Sequence, residues 1–314
     1  MLNGGKLADC EKVPEVTARN NRLRLYPNDT VVFAKSGMSA TLGRVYRLPE
    51  PAYVVSHLAA LVPTGSYDPG YLTYWLRRNP PSHLIKDPAY PSIRTSEIEQ
   101  VEVPNPPLSE QARIAAILDK ADAVRCKRER ARAAADDFLK SVFLEMFGDP
   151  VVNTKNWPLK PLGLVCKKIT DGTHDTPPRQ SSGAMFITGK NIRPFTIDRI
   201  NVEFVSDDVH REIYRRCNPE YGDVLYTNIG AGTGNAAFND LTFEFSMKNV
   251  ALLKPDAILT NGRYLEFLLN DESFKRRLIS RFGQGGAQGF LGLKTIKSIE
   301  IPLPPVAQQT RFTN

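Results

Sequence analysis

PPLSEQARIAAILDKADAVRCKRERARAAADDFLKSVFLEMFGDP, residues 106–150, decides how the rest of this chain is read. From Glu110 to Phe147 the stretch holds no glycine or proline, and alanine, leucine, lysine, arginine and glutamate dominate, which favours helix. Pro106-Pro107 closes what comes before, Ser109 is the expected N-cap, and Gly148 with Pro150 forms the stop. Ile117, Ala121, Val124, Arg128, Ala131, Ala135, Phe138 and Val142 recur at spacings 4,3,4,3,4,3,4, the period of a coiled-coil seam, which Ile114 extends. A helix this long spans roughly 55 Å at 1.5 Å per residue, too long for one side of a compact domain without a partner. The plainer alternative is an amphipathic helix packed on its own globular unit.

Outside this helix the chain repeats itself. YPNDTVVFAKSG, from Tyr26, aligns with EYGDVLYTNIG, from Glu220, so that Val31-Val32-Phe33 falls on Val224-Leu225-Tyr226 and Gly37 on Gly230. His57 to Pro63 falls on Asn249 to Pro255, and Tyr71-Leu72 on Tyr264-Leu265. Ile98, Val101, Val103-Pro104, Pro106-Pro107 and Gln111 fall on Ile296, Ile299, Ile301-Pro302, Pro304-Pro305 and Gln309. The offset is 192–193 up to Leu265 and 198 beyond it, one insertion of about five residues over about 85. Chance strand patterning would not keep that order. The second copy also has a front part, residues 151–219, for which residues 1–25 are too short a counterpart.

Each copy mixes strand-like runs (Thr30–Phe33, Asp223–Tyr226, Asn249–Leu253, Ser298–Ile301) with helical ones (Arg263–Leu269, Ser273–Ile279). The expected fold class is α+β: two related mixed α/β domains joined by a long coiled-coil-type helix. The expected boundaries are 1–105, 106–150, 151–303 and 304–314.

Composition narrows the function. The 314 residues carry 41 Lys+Arg against 34 Asp+Glu, a net charge of +7, which mildly favours a polyanionic partner. The excess is uneven: 12 basic and 10 acidic residues before Asn105, 8 and 8 in 105–150, and 21 and 16 in 151–314, or +5. No apolar run approaches 18 residues, which argues against a membrane span, and MLNGGKLADC does not read as a secretory signal. Four scattered cysteines (Cys10, Cys126, Cys166, Cys217) show no zinc spacing and fit a reduced cytoplasmic protein. No metal and no cofactor is expected.

Four polar loops of the second copy are the candidate DNA contacts: Asp171–Arg179, Gly189–Pro194, Thr227–Asn235 and Arg281–Gln288. They offer Thr173, His174, Arg179, Lys190, Asn191, Arg193, Asn228, Thr233, Gln284 and Gln288, with Lys35 and Arg44 in the first copy. Lysine, arginine, asparagine and glutamine on loops have the geometry for phosphates and base edges, and glycines let the backbone come close. Most polar loops are only loops, so each alone is a weak signal. Arg125, Lys127, Arg128, Arg130 and Arg132 on the helix read first as a solvated face, with Arg125 pairing Glu129. Gly230-x-Gly232-x-Gly234 follows a strand as a nucleotide-binding turn would, yet no helix pattern follows it and the first copy lacks it. Asn105-Pro-Pro-Leu108 has leucine where a base-holding methyltransferase loop needs an aromatic ring, so Pro106-Pro107 is the helix entry. No His-Glu-x-x-His, Gly-x-Ser-x-Gly or nuclease-like acidic pair occurs.

The run from Pro106 to Arg125, followed by Phe143-Leu-Glu-Met-Phe-Gly-Asp-Pro150, resembles the central conserved region of type I restriction–modification specificity subunits, and Ile299 to Gln309 resembles the start of that region repeated. The resemblance implies two target-recognition domains, each reading half of a split double-stranded DNA target, and an antiparallel coiled coil that sets their spacing. It also implies docking of DNA methyltransferase subunits, with restriction (translocase–nuclease) subunits able to join, and no active site in the specificity subunit itself. This sequence lacks the usual opening of domain one and the second helix. The seam residues Ile114, Ile117, Ala121, Val124, Ala131, Ala135, Phe138 and Val142 are therefore expected to pair with a second copy or with another subunit's helix. The competing expectation is a truncated adaptor or remnant, helix-mediated, that no longer reads DNA.

Overall fold

A computed structural model describes residues 24–282 and 290–313, with the backbone of residues 2–3 and 6–7. The chain divides into two compact units, residues 1–132 and 133–314. It mixes helix and strand in both, and one helix of 40 residues, Leu108–Phe147, runs through the division.

Unit 1 is built on a three-stranded antiparallel sheet in the order Val45–Arg47, Val31–Ala34, Leu58–Leu61. Val31, Val32 and Phe33 are buried because the central strand is covered on both faces. One face packs under Leu72 and Leu76 of helix Pro69–Arg78, and the other under Tyr46 and Leu48 with Tyr26 and Val54. Arg24–Tyr26 and Ala52–Val54 form a separate antiparallel pair.

The same frame recurs, enlarged, in unit 2. Ala236–Phe238, Val224–Tyr226 and Ala251–Pro255 repeat the three strands, and Cys166–Asp171 adds a fourth on the outer edge. Leu159–Pro161 pairs with Glu300–Pro302. A further sheet, Glu203–Val205, Ala184–Thr188, Ser246–Lys248, supplies a second core layer around Phe186, Ile187, Phe245 and Met247.

Hydrogen bonds reproduce the duplication residue by residue. In unit 1, Asp68 caps helix Pro69–Arg78 by accepting from the Tyr71 N–H (2.9 Å), and the Tyr71 hydroxyl donates to the Pro104 carbonyl (3.1 Å). In unit 2, Asn261 accepts from the Tyr264 N–H (2.8 Å), and the Tyr264 hydroxyl donates to Pro302 (2.6 Å). Gln111 accepts from the Asp68 N–H and donates to the carbonyls of Ser66 and Pro106. Gln309 accepts from the Asn261 N–H and donates to the carbonyls of Leu259 and Pro304. Both amides are wholly buried, where an unpaired polar group would be costly. The backbone agrees at the strand tips: Ile93 N–H donates to Lys35 O and Leu291 N–H to Asn228 O, each 2.8 Å.

Within residues 1–25, Leu2–Asn3 pairs antiparallel with Lys6–Leu7. One expectation changes. Ser109 is not the N-cap. The helix opens at Leu108, and the N–H groups of Glu110 and Gln111 both donate to the Pro107 carbonyl, so the diproline makes the entry.

The long helix is bound to its unit at each end. Near its start, the Tyr74 hydroxyl donates to Asp119 (2.8 Å), and burial together with Asp119 pushes that phenol up to about 12. Ala115 sits against Gly70, where an added Cβ would lie 3.0 Å from the alanine methyl. Near its finish, Phe143 and Phe147 are 3% exposed in the unit 2 core. Gly148, at φ +79°, ends the helix under Thr154, whose Oγ1 would lie 2.4 Å from a Cβ. Between these anchors the seam is bare among the described residues: Ile117 is 52%, Val124 49% and Phe138 67% exposed, and Ala121, Ala131 and Ala135 are exposed too. Ile114 and Val142 are half-buried at its two ends. Arg125 pairs with Asp122 and Glu129, both at 2.8 Å.

Candidate nucleic-acid interface

The loop after strand Cys166–Asp171 is held in place by a buried carboxylate. Asp171 accepts from Arg216 (2.7 Å) and from His174 Nε2 (2.9 Å), while His174 Nδ1 meets the Asn249 side chain at 3.0 Å. Gly172 passes so close to the neighbouring strand that a Cβ would lie 1.9 Å from the Met247 carbonyl oxygen. Thr173 continues that contact by donating its N–H to Met247 O (3.0 Å). His174 therefore presents an exposed ring edge in a fixed orientation.

Arg179 lies over the Phe186 ring (4.4 Å to the centroid) and donates to Glu203 (2.5 Å). Lys190 is exposed and makes no hydrogen bond or ion pair among the described residues. Its neighbour Asn191 is 4% exposed and spent inside: it accepts from Thr188 N–H (2.9 Å) and donates to Asn201 O (2.9 Å). That clamp aims the turn carrying Lys190 and Arg193. Arg193 pairs with Asp198 at 3.1 Å and stays exposed. Asp198 is held below the usual carboxylate range, first by the Ile200 N–H and then by Asn201.

Thr227–Asn235 folds back on itself. Gly234 N–H donates to Thr227 O and Thr227 N–H to Asn235 O, both 2.8 Å, and the Thr233 hydroxyl donates to Gly230 O (2.7 Å). Asn228 is 2% exposed; its amide donates to Leu291 O (3.3 Å), and its Oδ1 has no partner among the described residues. Lys275 reaches up from helix Glu272–Phe282 to Asn235 Oδ1 (2.5 Å), and burial lowers its ammonium from the usual value. In unit 1, Lys35 is half-buried at the position matching Asn228, and Arg44 is exposed. Gln284 and Gln288 lie outside the described residues.

Unit 2 therefore presents His174, Arg179, Lys190 and Arg193 at or near its surface, while Asn191, Asn228 and Thr233 face inward and shape the loops. Sequence reasoning passed over Arg216 and Asn249, which fix His174. A signal existed: Asn249 aligns with His57, whose Nδ1 likewise lies 3.1 Å from a loop hydroxyl, that of Ser36. Such surfaces offer hydrogen-bond donors and positive charge to an anion. Among the described residues no group of three or more His, Cys, Asp or Glu could hold a metal ion, and no helix is long and apolar enough to cross a membrane.

A twofold frame with variable polar loops is what a duplicated recognition module provides. The profile of the type I restriction modification DNA specificity domain matches residues 4–133 and again 182–312, and the chain belongs to this family. The type I restriction enzyme EcoKI specificity subunit of Escherichia coli K12 is 22% identical over 99% of this chain and 72% of its own length. The MjaIX specificity subunit of Methanocaldococcus jannaschii is 21% identical over 93% of this chain and 71% of that one. Among solved structures, the type I restriction–modification S subunit from M. genitalium superposes with a TM-score of 0.59 at 16% identity, over 92% of this chain and 75% of that one. It shares the fold.

Proposed function

We propose that the chain is a DNA-reading specificity subunit, each unit contacting one part of a split double-stranded target. Residues 1–105 and 151–303 are the two recognition domains, 106–150 the spacer and 304–314 the opening of a second spacer. The observation that carries this is the double occurrence of one hydrogen-bonded frame, with unlike loops, in a chain whose family profile matches twice. Lys190, Arg193, Arg179 and His174 supply the outward contacts in unit 2, with Lys35 and Arg44 in unit 1; Thr173, Asn191, Asn228 and Thr233 position the loops that carry them. Gln284 and Gln288, outside the described residues, are further DNA contacts in this reading. The chain itself performs no reaction and needs no cofactor: in the cytoplasm it docks DNA methyltransferase subunits, which restriction subunits join.

Fluorescence anisotropy on duplex DNA with a salt titration tests the reading. Affinity is expected to fall steeply with salt, and Lys190→Ala to remove about one phosphate contact, lowering the log–log slope by roughly 0.9. A flat salt response would leave the competing reading, a helix-mediated adaptor or remnant without DNA recognition.

The exposed seam of Ile117, Val124 and Phe138 supports pairing with a second copy of the helix. Sedimentation is expected to show dimers at micromolar concentration that Phe138→Glu disperses. A wild-type monomer across that range would end the self-pairing proposal.

A further inference from the structure

In each unit the shared frame ends in one pair of residues that face each other across an antiparallel bridge. The pair is Ser36 and Ser92 in unit 1, and Ile229 and Phe290 in unit 2. The positions are equivalent. Gly37 follows the first serine as Gly230 follows Ile229, and the Ile93 N–H donates to Lys35 O as the Leu291 N–H donates to Asn228 O, each 2.8 Å. In unit 1 the Gly37 N–H also donates to Pro91 O (2.9 Å), so the hydrogen bonds flank the bridged pair. Such a pair sits in the narrow site of the ladder, with Cα atoms about 4.5 Å apart and side chains on the same face. One scaffold position thus carries two hydroxyls in one unit, and a branched alkyl group beside a phenyl ring in the other.

The unit 2 pair stands where the candidate contact loops converge. A Cβ on Gly189, next to Lys190, would lie 3.9 Å from Ile229 O and 3.6 Å from Asn249 O, and the Asn249 side chain meets His174. Ile229 is 38% and Phe290 49% exposed, an apolar spot beside loops that present the exposed His174 and Lys190. The Phe290 ring folds back over Gly292: its Cε1 and Cζ lie 3.6 and 3.8 Å from where a Cβ on that glycine would be. The ring therefore lies along the surface, unlike the wedges that enter between base pairs. On DNA such a spot has one match. Base edges in the major groove are donors and acceptors, except for the C5 methyl group of thymine.

Building on the reading of the chain as a DNA-contacting subunit, we propose that Ile229 and Phe290 form a specificity contact for a thymine methyl group in the half-site read by unit 2. At the same place in unit 1, Ser36 and Ser92 read a hydrogen-bonding edge. Ser36 is already oriented, its Oγ 3.1 Å from His57 Nδ1, and Ser92 is exposed. The two halves of the target then differ in chemistry at equivalent places because one bridged pair differs.

The test enriches bound sequences from a pool of random-sequence duplexes with the full chain. Each thymine of the enriched duplex is then replaced in turn by deoxyuridine, which removes the methyl group alone. In one half-site, one such replacement is expected to weaken binding about fourfold, the value of one buried methyl group. The double variant Ile229→Ser with Phe290→Ser, which installs the unit 1 pair, should bind the thymine and deoxyuridine duplexes equally. It should also lose the preference at that base pair while enriching the other half-site unchanged, which reports that it is folded. Phe290→Ser alone should reduce the ratio to about twofold, and decides the matter if the double variant fails to fold. Three results would overturn the proposal: no thymine methyl that matters, a deoxyuridine effect that survives both variants, or a loss in the variants that is equal on both duplexes, the mark of a wedge. A wild-type chain that enriches no sequence would end the DNA reading itself, and this contact with it.

Discussion

Replacing Phe143 with alanine is expected to destabilise unit 2 by about 4 kcal/mol, the usual cost of deleting a buried aromatic ring. Phe143 is 3% exposed although it stands near the end of a helix that is solvated for most of its length. Its ring lies 5.0 Å from Phe147, 5.8 Å from Tyr264, 5.8 Å from Phe267 and 5.5 Å from Phe312, mixing stacked and edge-on contacts. Four partner rings drawn from three elements cannot all move to refill the space, so the cavity persists. The measurement is urea unfolding of a Trp75→Phe background, in which Trp157, whose indole donates to Phe147 O (2.9 Å), reports unit 2 alone. Phe143→Leu should recover more than half of the loss. A cost below about 1 kcal/mol would mean that the last turns of the helix are not part of this core.

Gln309→Leu is expected to cost about 3 kcal/mol, for a different reason. Leucine keeps the volume and removes every hydrogen bond. The Thr260 hydroxyl (2.9 Å), the Asn261 N–H (3.1 Å) and the carbonyls of Leu259 (3.1 Å) and Pro304 (2.8 Å) then lose their partner in a buried setting. Each unsatisfied group costs about 1–3 kcal/mol, partly relieved where water enters. Gln111→Leu should do the same to unit 1, read through Trp75 in a Trp157→Phe background, since it strips the Asp68 N–H, Ser66 O, Asn105 Oδ1 and Pro106 O. The prediction fails if either leucine variant unfolds at the same urea concentration as its parent.

Much of the architecture is legible in the residues, because it rests on periodicity and on order. The heptad of Ile117 to Val142 marks a helix whose seam stays bare, and the alignment of Tyr71 with Tyr264 and Gln111 with Gln309 pairs residues that make equivalent bonds in the structure. What sequence does not give is direction. Asn191, Asn228 and Thr233 look like ligand-binding residues on a list of donors, yet each is buried and hydrogen-bonded inside its loop, while Lys190 and Arg193 are exposed. The helix entry differs for a related reason: a serine near a helix start is a good cap only if the backbone is still extended there, and the helix has already opened at Leu108, directly after the two prolines. Arg216 and Asn249 escape notice because Arg216 reaches Asp171 from 45 positions away and Asn249 reaches His174 from 75, distances over which local pattern carries no information.

Each cap-and-glutamine lock is closed by bonds within its own unit, and none of them uses the turns that face outward. Gly37 at φ +74° and Gly230 at φ +92° occupy matching turns, with no described residue within 4 Å of where a side chain would begin. A side chain there would meet no neighbour, yet the positive φ keeps both turns to glycine, so change is freer at the flanking loop residues than at the buried locks. Two descendants of one ancestral module can thus drift toward different preferences and still be built by the same instructions.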